Sequence, residues 1–195
     1  MSRTLKLILA SQSPRRRELL ALTGYAFDTL SVDTDETFDH ALLPEENVMN
    51  IALLKAEAVL SAYPEAAEGS IILGADTTVV ADNAPLGKPD DFEHGLKMLR
   101  MLQGRSHDVF TGFAILKGRN RHVDFSRTLV EFEPMSDDEI VRYLSAVRPY
   151  DKAGSYGIQD PVLSCFVRRI EGCYYNVVGL PLSQVYAGLK RFMDQ

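Results

Sequence analysis

The chain has 195 residues, 46% of them hydrophobic and 25% charged, with a formal net charge of −6. That length suits one domain or two lobes around a shared core, and the acidic balance excludes a protein that grips a nucleic-acid polymer through a broad basic surface. Cys165 and Cys173 are the only cysteines and show no C-x-x-C spacing, which excludes a disulfide framework and a cysteine zinc site and predicts two reduced, buried thiols. Met1–Ala10 is too short for the apolar core of a secretion signal, and no run nears the ~20 apolar residues of a membrane span. The expectation is a cytoplasmic protein with no membrane partner.

In chain order, Leu5–Ala10 is a short apolar run that predicts a buried strand, and Ser13-Pro14 opens a helix through Leu22. Phe27–Val32 alternates like a second strand. Pro44-Glu45-Glu46 starts a long helix to Ala62, followed by the breakers Tyr63-Pro64 and Gly69. Ile71–Ala81 reads as a strand bent at Gly74 and Asp76, and Asp82-Asn83 marks a hairpin turn. Pro89 predicts another helix to Leu102. Ser106–Phe132 splits into two antiparallel strands about Gly118-Arg119-Asn120. Ser136-Asp137-Asp138-Glu139 is a capping-box sequence opening a helix to Val147. Gly154–Gly157 is a glycine-rich loop, Phe166–Val178 gives two strand-like runs split by Glu171-Gly172, and Pro181 opens a terminal helix. The order is mixed α/β.

The informative positions are charges placed where local physics disfavours them. Arg15, Arg16 and Arg17 occupy the first turn of the helix capped by Ser13, where the helix already carries positive partial charge. A bound anion reverses that penalty, so Ser13 and Arg16 are candidate phosphate-binding residues; the competing reading is a solvated basic patch. Lys55 lies in the middle of the stripe Val48, Ile51, Ala52 and Val59, and must snorkel, find an anion or border a ligand site. Asp76 interrupts an apolar run, as a turn cap or as a catalytic or metal-binding carboxylate. Lys88 precedes Pro89 at an expected helix start, where a capping side chain would serve better, and Gly87 beside it permits close backbone approach. Glu36 stands in the acidic stretch Asp33-Thr34-Asp35-Glu36, which could be solvated loop and nothing more. Together these are cations for phosphates and carboxylates, Glu36 and Asp76, for a metal such as Mg²⁺.

At these residues the sequence resembles the Maf-like nucleotide pyrophosphatases. The stretches that carry the likeness are Leu7–Arg16, Gly74–Thr77, Gly87–Pro89, Asp151–Gln159 and Val178–Pro181, in family order and spanning nearly the whole chain. The resemblance implies a single domain over residues 1–195. It implies an α/β fold of two lobes, a mixed sheet flanked by helices with a central nucleotide cleft, similar to the inosine triphosphate pyrophosphatases. It further implies that Asp76 is the catalytic base, with Ser11, Glu36, Lys55 and Lys88 completing the catalytic and phosphate-and-metal shell. The activity implied is cleavage of a nucleoside triphosphate to the monophosphate and pyrophosphate with a divalent cation, Mg²⁺ or Mn²⁺.

Arg15, Thr77 and Gln159 match the branch resembling dTTP/UTP pyrophosphatases rather than the sibling branch acting on 7-methyl-GTP. An amide and a hydroxyl suit the mixed donor and acceptor edge of uracil or thymine. Asp160-Pro161 departs from the family pattern, in which glycine is common after the glutamine. The alternatives are a broader house-cleaning enzyme for modified pyrimidine nucleotides and a non-catalytic inhibitor of septum formation in cell division. A dinucleotide-binding fold is excluded, because the first strand is not followed by G-x-G-x-x-G. The sequence leaves open whether the chain works as a homodimer.

Overall fold

The computed structural model describes residues 6–194, so Leu5 of the first expected strand lies outside the described residues. The elements are β1 (Leu7–Ala10), α1 (Pro14–Ala21), β2 (Phe27–Leu30), α2 (Pro44–Ala62), the one-turn α3 (Pro64–Ala67), β3 (Ile71–Ala81) and β4 (Ala84–Leu86). They continue with α4 (Phe92–Leu102), β5 (Ser106–Lys117), β6 (Asn120–Phe132), α5 (Asp137–Val147), β7 (Val167–Glu171), α6 (Tyr174–Val178) and α7 (Leu182–Met193). Seven strands form one mixed sheet in the order β2-β1-β3-β5-β6-β7, with β4 paired to β3 off this path. Two compact units divide the chain: one runs up to Asp76 and includes Thr111–Ser126 and the chain from Gly179, and the other comprises Thr77–Phe110 and Arg127–Val178.

In the first unit β1 lies between β2 and β3 and is parallel to both, Ala10 facing Leu30 on one side and Gly74 on the other. All of β1 is buried, which is why the sequence there is an unbroken apolar run rather than an alternating one. The helix α2 buries Val48, Ile51, Ala52, Ala56 and Val59, and each larger side chain on that face contributes roughly 1.5–3 kcal/mol on leaving water. Two glycines let it lie close to the strands. A Cβ on Gly74 would stand 2.2 Å from the carbonyl oxygen of Ala52, and one on Gly112 would stand 2.3 Å from that of Val48. Gly74 therefore marks close helix-on-strand packing and not the expected bend, since β3 continues through it for 11 residues.

In the second unit Asp82 and Asn83, at φ 51° and 62°, turn β3 back into β4, with Ala81 opposite Ala84. Ser136 caps α5 through the expected box: the Glu139 amide donates to Ser136 Oγ and the Ser136 amide to the Glu139 carboxylate. The core of this unit gathers Leu99 from α4, Tyr143 and Leu144 from α5, Val130 and Phe132 from β6, and Tyr156 and Ile158 from the loop after α5.

Three expectations are corrected here. The helix expected from Pro89 starts at Phe92, because Asp91 accepts the His94 amide at 2.7 Å and is the better N-cap, leaving Pro89 in the connecting loop. The second strand expected within Phe166–Val178 is the helix α6. Gly172, at φ 131°, ends β7, and the buried Asn176 amide donates to the carbonyl of Val109 and to Thr128 Oγ1. These bonds bury an asparagine while Tyr174 and Tyr175 stay exposed, the reverse of what side-chain propensity suggests. Cys165 is exposed and Cys173 half-buried, so neither thiol is in the core.

The glycine contact sets one test. Gly74→Ala is expected to lower stability by about 1–3 kcal/mol in urea unfolding, because α2 must retreat from β3; an unchanged midpoint would mean that α2 shifts without penalty. A second test follows from His107, which is 3% exposed, meets Tyr156 Oη at 2.7 Å through Nε2 and has no partner for Nδ1. Burial pushes its pKa from 6.5 down to about 4. Between those values the unfolded chain binds a proton that the folded chain refuses. Stability is therefore full above about pH 6.5 and falls as pH drops toward 4, by about 1.4 kcal/mol per unit. Thermal unfolding from pH 7 to 4.5 should show a shallower acid loss in His107→Gln than in the parent, and equal slopes would refute the assignment.

Candidate active site

Because β2, β1 and β3 are parallel, their carboxyl ends face the same way, and folds of this kind take ligands off those ends. Ser11 follows the last residue of β1 and is buried, its Oγ accepting the Ser13 amide at 3.1 Å. Asp76 lies two positions beyond Gly74, the partner of Ala10, and so projects past the end of β1. Glu36 comes six positions after Leu30, the end of β2.

Lys55 reaches this end of the sheet from the buried face of α2. Its Nζ lies 2.8 Å from Asp76 Oδ1 and 2.9 Å from Glu36 Oε2. The side chains of Lys55 and Asp76 are 12% and 13% exposed, and that of Glu36 is 43% exposed. The lysine thus takes anions rather than snorkelling, and Glu36 is not simply solvated. An ammonium withdrawn this far from water requires such partners, since an unpaired buried charge costs several kcal/mol.

The first turn of α1 adds the cations. Ser13 caps the helix, accepting the Arg16 amide at 3.5 Å, and its carbonyl takes the Arg17 amide at 3.3 Å. Pro14 has no N–H, so this helix start offers fewer amides to an anion than a helix without proline would, and the guanidinium side chains carry more of that capacity. Arg16 is held from below: its Nε donates to the carbonyl of Gly179 at 2.9 Å. Burial lowers the Arg16 pKa from its ordinary value, opposed by the nearby charges of Asp76 and Glu36, while Arg15 lowers it further. A guanidinium remains charged under such shifts. Arg15 is half-buried. Gly179 sits at φ 126°, and the sequence assigns it no role because its partner Arg16 lies 163 positions away.

Of the remaining candidates, Thr77 is half-buried in β3, while Lys88 and Gln159 are exposed on loops of the second unit. Within that unit the Gly154 amide donates to the carbonyl of Gly87 at 3.0 Å, tying the loop that carries Lys88 to the glycine-rich loop. Lys88 lies ahead of a loop proline and not at a helix start. Glu36 and Asp76 converge on one cation, Lys55 Nζ, and their hard oxygens are the donors that Mg²⁺ takes from a protein when phosphates and water complete its shell. Among the described residues no group of three or more His, Cys, Asp or Glu side chains gathers as a closed metal site would require.

These features define an α/β protein with an ionic site off the carboxyl ends of its parallel strands. Within that class the chain belongs to the Maf-like protein family, whose model matches residues 6–192. It is 62% identical to a dTTP/UTP pyrophosphatase of Chlorobaculum tepidum over 185 residues, 95% of this chain and 94% of that protein. It is likewise 62% identical to a dTTP/UTP pyrophosphatase of Chlorobaculum parvum, over 95% of this chain and 93% of that one. Among solved structures it is similar to the Staphylococcus aureus Ham1 protein, at 15% identity and a TM-score of 0.47, over 65% of this chain and 71% of that chain. Among the described residues no helix is long and apolar enough to cross a membrane.

The ion cluster makes its own prediction, independent of activity. Lys55→Met should destabilise the fold on the order of 1–3 kcal/mol by removing the ammonium bonded to Asp76 Oδ1, and Asp76→Asn in the same chain should restore part of that loss. Additive losses in urea unfolding of the two single variants and the double variant would show that the pair is not coupled.

Proposed function

We propose that this protein is a nucleoside triphosphate pyrophosphatase that hydrolyses dTTP and UTP to the monophosphate and pyrophosphate. The observation that carries the reading is the Asp76 carboxylate held by Lys55 beside Glu36 at the carboxyl ends of parallel strands. The names of relatives that are 62% identical over nearly the whole chain support the reaction and the pyrimidine preference.

In this reading Asp76 orients and deprotonates the attacking water, while Lys55, Lys88 and Arg16 offset charge on the phosphates. Ser11 and Ser13 hold the strand-to-helix turn against the phosphate chain. Glu36 and Asp76 would hold Mg²⁺ or Mn²⁺, and such an ion, when bound, offsets charge on the phosphate oxygens. Arg15, Thr77 and Gln159 select the base, the amide of Gln159 pairing with the donor and acceptor edge of uracil or thymine. The unbridged Cys165 and Cys173 support a reducing, cytoplasmic setting. Nothing in the site favours the septum-inhibitor role without catalysis.

Asp76→Asn keeps the shape of the side chain and removes the base. Turnover of UTP and dTTP, followed as released pyrophosphate with Mg²⁺ or Mn²⁺, is expected to fall by about 10²-fold or more in a folded variant. Parent-like turnover in that variant would sink the assignment.

A further inference from the structure

Asp160 directly follows Gln159. Its carboxylate makes the bonds that close this loop. Tyr143, 1% exposed on α5, donates its hydroxyl to Asp160 Oδ2 at 2.6 Å. The Gly157 amide is shared between the same Oδ2, at 3.1 Å, and Tyr143 Oη, at 3.2 Å. The Asp160 amide in turn donates to the Gly157 carbonyl at 3.0 Å, so residues 157–160 form a turn bonded at both ends. Inside it Ile158 is 5% exposed and anchored in the core, while Gln159 is left exposed. Burial, followed by the Asp160 carboxylate, raises the Tyr143 pKa above its ordinary value, so the phenol stays a donor. Gly157 is matched to this arrangement. A Cβ there would lie 2.7 Å from Asp160 Oδ2, 2.8 Å from Oδ1 and 2.9 Å from Cγ, and those are the three atoms it would meet first.

We propose that Asp160 is a positioning residue for substrate selection: clamped between Tyr143 and the Gly157 amide, its carboxylate fixes the turn that presents Gln159 to the pyrimidine base. This rests on the reading of Gln159 given above. Asp160 does not touch the reacting phosphates in this account. Its loss releases the Gln159 turn and leaves the Asp76 and Lys55 chemistry in place. Defects therefore belong in KM and in discrimination between bases, because binding contacts that are equal in ground and transition states move KM alone.

The experiment measures kcat and KM for UTP, dTTP and CTP in the parent, Asp160→Ala, Tyr143→Phe, Gly157→Ala and the Gly157→Ala/Asp160→Ala double variant. Loss of a charge-assisted bond is expected to raise KM for UTP and dTTP about tenfold in Asp160→Ala, with kcat within about threefold of the parent and a smaller UTP-to-CTP preference. Tyr143→Phe removes one hydroxyl and keeps the ring in the core, so it gives the same split to a smaller degree and decides the matter should Asp160→Ala not fold. Gly157→Ala should reproduce Asp160→Ala, and in the double variant should add nothing. An unchanged UTP-to-CTP ratio in both Asp160→Ala and Tyr143→Phe, or a loss carried by kcat equally for all three nucleotides, overturns the proposal alone. A full additional loss from Gly157→Ala in the double variant overturns it as well. A parent protein that releases no pyrophosphate from UTP or dTTP overturns the functional reading, and the proposal with it.

Discussion

The site depends on one ionic contact, the Lys55 ammonium set between the carboxylates of Asp76 and Glu36. Backbone packing makes that contact reachable. The carbonyl of Ala52 on α2 comes so near Gly74 on β3 that no side chain fits between them. Lys55 is three residues further along the helix, a rise of about 4.5 Å, and Asp76 is two residues further along the strand, about 6.6 Å. Starting from a pinned crossing point, both side chains arrive at the same end of the sheet. Moving α2 outward by the width of a methyl group would stretch this pair, together with the Glu57–Arg121 ion pair that the same helix carries.

The other candidate residues of each unit are held by bonds that have no part in the chemistry. Arg16 is anchored by the Gly179 carbonyl, and Ser11 Oγ is engaged by the Ser13 amide. In the second unit the Gly154 amide holds the Gly87 carbonyl, and Asp160 holds the turn that bears Gln159. Residues on loops gain definite positions this way only when each loop is closed by its own hydrogen bonds, since an exposed loop otherwise retains its conformational freedom.

Much of the fold was legible in the sequence where a local rule and the hydrophobic period agreed. The helix α2 runs from Pro44 to Ala62 as expected, because proline at the first position and a 3.6-residue apolar stripe point to the same element. The same agreement holds for the Ser136 and Glu139 capping box and for the hairpin turn at Asp82 and Asn83. Expectations failed where a distant partner overrode the local preference, or where one local signal outweighed its neighbour. Asn176 pulls a strand-like segment into α6 by bonding residues 48 and 67 positions away, and Asp91 outcompetes Pro89 as the start of α4. The role of Gly74 is not legible locally, because a strand glycine looks the same in sequence whether it bends the chain or admits a helix.

What the sequence by itself determined is which residues are out of place: a lysine on an apolar stripe, an aspartate in an apolar run and arginines at a helix start. Solvation energy and helix periodicity are local, so those anomalies can be read one residue at a time. Only the tertiary structure decided how they are resolved, because charge pairing acts over a few ångströms. Lys55 is 21 positions from Asp76 and 19 from Glu36, and no local rule spans that separation until β2, β1 and β3 are aligned and α2 is seated on them.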